Sequence, residues 1–72
     1  MEYTIKAPIP GLLARVMVKE GQKVSEGDEL VVINCMKTET SCIADKSGIV
    51  KQILVEEWDE IDVDTVLVIL EV

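Results

Sequence analysis

The 72-residue sequence contains no histidine and no phenylalanine, and Tyr3 and Trp58 are its only aromatic residues. Without histidine there is no Ser-His or Cys-His couple and no imidazole ligand, which closes the commonest routes to nucleophilic and zinc chemistry. Without phenylalanine the core must be aliphatic. Cys35 and Cys42 are too few for a disulfide scaffold, and their spacing is not that of a Cys-x-x-Cys motif. Bases are outnumbered two to one, 7 against 14 acids, for a net charge of -7. Such a chain repels phosphate backbones, so no nucleic-acid partner is expected. No apolar run approaches the roughly 18 residues of a membrane span. The start, Met1-Glu2-Tyr3-Thr4, has neither the basic lead nor the apolar stretch of a secretory signal. Together with the sparse cysteines, these absences lead us to expect a cytoplasmic protein.

The residues present are 49% hydrophobic, enough to rule out disorder. The length suits a single domain over residues 1–72. A chain of this size buries only about 60% of its unfolded surface, so its core is thin and leaves no room for a deep cleft. Charge is distributed unevenly. Residues 1–36 carry four bases and five acids, net -1, whereas residues 37–72 carry three bases and nine acids, net -6. One face or end should be strongly negative and would suit a basic partner.

The chain nearly copies itself at an offset of 37. Residues 6–33 align without a gap on residues 43–70, with identities at Ala7/Ala44, Gly11/Gly48, Val18/Val55, Glu20/Glu57, Leu30/Leu67 and Val31/Val68. Leu12/Ile49, Val16/Ile53, Val24/Ile61 and Ile33/Leu70 match in kind. Two copies are too few for a solenoid, and they predict a two-fold pseudosymmetric domain. The local signal is β throughout. Segments 12–18 and 49–55 are rich in β-branched residues and follow Gly11 and Gly48, and 29–35 and 66–72 are nearly continuous apolar runs. Turn signals at Pro8-Ile9-Pro10-Gly11, Glu20-Gly21-Gln22, Glu26-Gly27-Asp28 and Asp45-Lys46-Ser47-Gly48 separate them. The expectation is about four short strands per half in two antiparallel sheets packed face to face. Trp58 and Asp64 fall where the first copy has Gly21 and Gly27. Asp tolerates a left-handed backbone, but Trp there would be costly, so the turn around Trp58 is expected to differ between the halves.

The junction between the copies, Asn34-Cys35-Met36-Lys37-Thr38-Glu39-Thr40-Ser41-Cys42, requires a tight hairpin. Centring it on Met36-Lys37 pairs Cys35 with Thr38, Ile33 with Thr40 and Val31 with Cys42. That register keeps the two cysteines from facing each other, which disfavours a disulfide. Two-residue hairpin loops favour Asn-Gly or Asp-Gly, so Met-Lys is a poor choice for the backbone. A local rule broken at one exposed turn is a place to look for function. Lys37 would project into solvent from the tip.

The acids Glu56, Glu57, Asp59, Glu60, Asp62 and Asp64 invite comparison with a calcium loop. Thr65 stands where such a loop needs glycine, however, and 66–70 is an apolar strand. Glu60, Asp62 and Asp64 alternating with Ile61 and Val63 read better as a solvated strand face, usable as a docking surface for a basic partner. Trp58 is compatible with packing, with simple exposure, or with a protein contact.

The whole chain resembles a biotinyl domain of the biotin/lipoyl attachment family, similar to biotin carboxyl carrier proteins. The resemblance rests on the repeat, on Cys35-Met36-Lys37-Thr38-Glu39-Thr40 at the junction, and on Val24-x-x-Gly27-Asp28-x-Leu30 and Ala44-x-x-x-Gly48. Cys35 and Thr38 depart from the usual Ala-Met-Lys-Met. The resemblance implies an all-β, flattened eight-stranded barrel or sandwich of two quasi-symmetric four-stranded halves. It also implies covalent biotin on Lys37, with Cys35, Met36, Thr38 and Glu39 forming the tip that a biotin protein ligase reads. The domain would then be a non-catalytic carrier serving biotin carboxylase and carboxyltransferase or decarboxylase components. Two alternatives stay open: a lipoyl carrier with lipoate on Lys37, which Met36 disfavours, and an unmodified structural or adaptor module.

Overall fold

Tight turns cut this aliphatic chain into eight short strands. The computed structural model describes residues 1–72. Its strands are β1 (Glu2–Lys6), β2 (Gly11–Val16), β3 (Lys23–Val24), β4 (Glu29–Cys35), β5 (Thr38–Ile43), β6 (Gly48–Ile53), β7 (Glu60–Ile61) and β8 (Val66–Glu71). They form two four-stranded antiparallel sheets, ordered β1-β8-β6-β3 and β5-β4-β2-β7. A shift of four strands turns one order into the other. Each sheet therefore takes two strands from each half of the chain, and the pseudo-two-fold exchanges the sheets. The eight strands and the two antiparallel sheets agree with the sequence expectation. The segments predicted at 12–18 and 49–55 stop two residues early, at Val16 and Ile53.

The core follows the repeat residue by residue. Its sixteen buried side chains are all apolar, and they fall into eight pairs separated by 37: Ile5/Cys42, Ala7/Ala44, Leu13/Val50, Val18/Val55, Val24/Ile61, Leu30/Leu67, Val31/Val68 and Ile33/Leu70. Cys42 is thus the counterpart of Ile5 and serves as a small hydrophobe. No polar or charged residue is buried, so the interior holds no group for acid–base chemistry.

Close backbone approach explains one pair of glycines. A Cβ on Gly11 would lie 2.5 Å from the Asn34 carbonyl oxygen, and a Cβ on Gly48 would lie 2.5 Å from that of Glu71. Asn34 and Glu71 are themselves 37 apart, so both halves use one device to bring their central strands together. Gly21 and Gly27 differ from these. They have φ of 88° and 94°, with open space around the missing Cβ.

Two expectations are corrected. The turn around Trp58 is the same in both halves: Trp58 has φ 72°, close to that of Gly21, and Asp64 has φ 68°, close to that of Gly27. The turn's hydrogen bonds repeat as well. Gly21 N–H donates to Val50 O at 2.7 Å and Trp58 N–H to Leu13 O at 2.6 Å; Gln22 N–H donates to Lys19 O and Asp59 N–H to Glu56 O, both at 3.1 Å. The Gln22 and Asp59 side chains close each loop by accepting from Lys19 N–H and Glu56 N–H. Bonds that over-determine a turn can hold a non-glycine residue in a left-handed state costing about 1–3 kcal/mol. The alternating acids also do not form an extended strand, because β7 ends at Ile61. Thr65 N–H donates to Asp62 O, and Asp62 N–H to Thr65 Oγ1, in a turn that repeats the one over 25–28 and leaves Val63 exposed.

The two kinds of glycine should respond differently to alanine in urea titrations. Gly48→Ala drives a methyl group into a carbonyl oxygen and should cost about 2–3 kcal/mol. Gly27→Ala meets only the left-handed penalty and should cost about 1 kcal/mol. Equal losses would show that the backbone at Gly48 yields freely. Trp58→Gly should raise stability by about 0.5–1 kcal/mol, because the ring is 67% exposed and buries little in return for its φ. A loss of stability would mean that the indole packs usefully.

Candidate functional site

The hairpin that joins the halves is built from the core outward. Val31, Ile33 and Cys42 are buried, and this apolar set restrains the pairing of β4 with β5, since a one-residue slip of β5 would turn Cys42 to solvent. The register is Val31↔Cys42, Ile33↔Thr40, Asn34↔Glu39 and Cys35↔Thr38, as the sequence predicts. Met36 and Lys37 are left as a two-residue loop. Met36 has φ 58° and Lys37 is not in the positive region, the sign pattern of a type II′ turn, which prefers glycine at its first central position. The strain expected from Met-Lys is therefore present, and it sits on Met36.

All five residues singled out at the junction lie on this one tip. Met36 is 94% exposed, and Lys37, Thr38 and Glu39 are exposed beside it. Cys35 is half-buried at the end of β4. Lys37 has no ion pair: the two salt bridges of the chain are Met1 amine–Glu71 and Lys51–Glu2. No hydrogen bond engages its amine either. It is a primary amine on a stiff hairpin, free to be acylated by an external catalyst, with no histidine or buried carboxylate nearby to make it a catalyst itself. Cys42 faces Val31 rather than Cys35, both thiols are free, and burial pushes the Cys42 thiol pKa up. The tip thus offers an accessible amine on a rigid base.

The remaining polar residues have local duties. Tyr3 donates its hydroxyl to Asp45 Oδ2 at 3.1 Å, which raises the phenol pKa, and Lys46 lies 5.5 Å from the centre of the Tyr3 ring. Glu2 and Lys51 form an exposed pair that lowers the carboxyl pKa and raises that of the amine. Asp59 and Asp62 are engaged in the turns described above. No three His, Cys, Asp or Glu side chains converge on a point where a metal could sit.

Sequence reasoning missed the surroundings of the tip. An open groove of about 440 Å³ lies beside the hairpin, lined by Pro10, Gly11, Leu12, Asn34, Cys35 and Met36. Pro10-Gly11 reads in the sequence only as a turn, and the pairing Leu12↔Asn34 brings it next to the tip. The one available signal was Leu12, an apolar residue next to the turn glycine that stays 43% exposed.

The family model described as biotin-requiring enzyme matches residues 3–70. The chain is 39% identical over 67 residues to the mitochondrial propionyl-CoA carboxylase alpha chain of Homo sapiens, covering 93% of this chain and 9% of that one. It is 36% identical over 64 residues to a biotin/lipoyl attachment protein of Bacillus subtilis, covering 89% and 88% respectively. It thus spans less than a tenth of the carboxylase relatives' length and most of the small attachment protein. Among solved structures, the urea carboxylase of Kluyveromyces lactis superposes with a TM-score of 0.93 at 25% identity, covering 99% of this chain and 6% of that one. A tip lysine on an interleaved two-sheet frame, a match over nearly every residue and these relatives make the chain a biotinyl domain, a member of the biotin/lipoyl attachment family of carrier modules.

Proposed function

We propose that this chain carries biotin as an amide on Lys37 and presents it in turn to the active sites of a biotin-dependent carboxylase, decarboxylase or transcarboxylase. The observation that carries the reading is the unpartnered Lys37 at a two-residue tip, in a chain of this family. A biotin protein ligase would activate the cofactor's carboxyl group. The lysine nitrogen then forms the C–N bond, losing a proton as the activating group leaves. Once attached, the ureido ring supplies the site that accepts and releases carbon dioxide.

The chain's own residues do the rest. Lys37 loses its charge on acylation and becomes the root of a long arm, and the β4–β5 hairpin holds that root still. Met36, Thr38, Glu39 and Cys35 are the side chains a ligase meets on approaching the amine. Tethering raises the effective concentration of the ring at each partner site, so a carrier needs reach and a firm base rather than a pocket of its own. The net charge of -6 on residues 37–72 favours partner surfaces that are basic.

Intact mass and peptide mapping after co-expression with a biotin ligase, and separately with a lipoate ligase, test the reading. A biotin adduct confined to Lys37 is expected. A lipoyl adduct, or no adduct even with the source organism's own ligase, would overturn it. Lys37→Ala should abolish the adduct and change stability by no more than about 0.5 kcal/mol, the range of surface substitutions. A large loss would make Lys37 structural. Thr38→Met should leave the rate of biotinylation equal or higher, and a clear fall would show that Thr38 is tuned to a particular ligase.

A further inference from the structure

The groove beside the tip is not needed to hold a lysine in solvent. Positions equivalent to Pro10, Leu12, Asn34 and Cys35 are Ser47, Ile49, Glu71 and Val72, and Met36 has no counterpart. At that end Glu71 takes up the Met1 amine at 3.1 Å. The second, smaller groove lies elsewhere, along Ile5, Lys6, Pro8, 41–43 and Asp45.

The lining has a definite chemical character. Pro10, Leu12 and Met36 provide apolar walls. Gly11 contributes bare backbone, and its missing Cβ is enforced by the Asn34 carbonyl oxygen 2.5 Å from where that atom would stand. Asn34 is half-buried, and its carboxamide makes no hydrogen bond within the protein. A carboxamide offers two N–H donors and a carbonyl acceptor. The complementary ligand is a small, largely hydrocarbon ring system bearing a cyclic urea, which presents a carbonyl and N–H groups in turn.

We propose that the groove formed by Pro10, Leu12, Asn34, Cys35 and Met36 is a resting site for the ureido-thioether ring attached to Lys37, held weakly between visits to partner active sites. The proposal rests on the biotin-carrier reading above. Met36, the immediate neighbour of Lys37, lines the groove, and the arm is flexible enough to fold back. Retention must be weak, because a ring held strongly would add to the barrier at every partner site. A docked-to-free ratio of about 5 keeps most of the ring off the solvent and still releases it readily.

The chain supplies its own reporter. Cys35 lines the groove and is half-buried, whereas Cys42 is buried with its pKa pushed up, so iodoacetamide should alkylate Cys35 and spare Cys42 in the native protein. Alkylation rates at Cys35 are compared between unmodified chain and chain shown by mass to carry one biotin on Lys37. A docked-to-free ratio of about 5 would slow Cys35 about sixfold. Leu12→Ser and Asn34→Asp, made in the biotinylated chain, should each restore the rate toward that of the unmodified variant. Equal rates in the two native forms would overturn the resting site while leaving the carrier reading intact. Slowing that survives both substitutions would overturn it too, because the arm would then only shade the thiol. A chain that acquires no biotin would end both readings together.

Discussion

Four of the six strand pairings in this domain join one half of the chain to the other: β1 with β8, β3 with β6, β4 with β5 and β2 with β7. Taken alone, each half keeps a single pairing, β2 with β4 or β6 with β8. Two strands with one apolar face are at best marginal in water. The halves must therefore form together, and the rest of the structure follows from that requirement. The eight core pairs are what this exchange buries. Gly11 and Gly48 let the two internal pairings close. The repeated turns at 19–22, 25–28, 56–59 and 62–65 stitch edge backbone across from one half to the other, through bonds such as Gly21 to Val50 and Trp58 to Leu13. A frame locked from both sides has little freedom to deform, and that stiffness is what a tethered cofactor needs at its root.

Much of this was legible in the residues. The 37-residue repeat is written in identities such as Gly11/Gly48 and Leu30/Leu67, and the β signal in the valine- and isoleucine-rich runs. The tip register followed from centring the hairpin on Met36-Lys37, which places Val31 opposite Cys42 and Ile33 opposite Thr40. The interleaving of the halves was not legible, since a repeat specifies symmetry and leaves the choice of neighbours to long-range pairing. The Trp58 turn was misread for a different reason. Intrinsic preference treats a left-handed tryptophan as prohibitive, yet the bond from its N–H to Leu13 and the loop closure by Asp59 carry the cost locally. The short β7 was misread because alternation of Glu60, Asp62 and Asp64 imitates a strand until Thr65 caps the turn. The groove could not be anticipated, because its walls come from two separate stretches, 10–12 and 34–36, that only the pairing of Leu12 with Asn34 brings together.

The two halves also show what the fold asks of a sequence and what function adds. Where both copies agree, at the sixteen core positions and the close-packed glycines, the shared requirement is burial and backbone approach. Where they disagree, the difference is not needed for folding. Glycine at 21 and 27 becomes Trp58 and Asp64 with no change in turn geometry. Asn34 becomes Glu71, and the acids accumulate in the second copy. An internal repeat thus acts as a control experiment within one molecule, separating positions fixed by architecture from positions free to be specialised.

The tip is the clearest case of such specialisation, and the energetics show why it is tolerable. A left-handed Met36 that is 94% exposed costs about 1–3 kcal/mol and gains nothing from packing. Folding preference alone would place glycine or asparagine there. A glycine at this position would loosen the loop, however, because it gives the backbone more states and removes the side chain that flanks Lys37. A strained but unique turn fixes the direction in which the Lys37 amine leaves the hairpin. The interleaved frame supplies the stability that the turn consumes. The strain at Met36 thus sits at the exposed tip, and the aliphatic core beneath it is free of the polar groups that would compromise its rigidity.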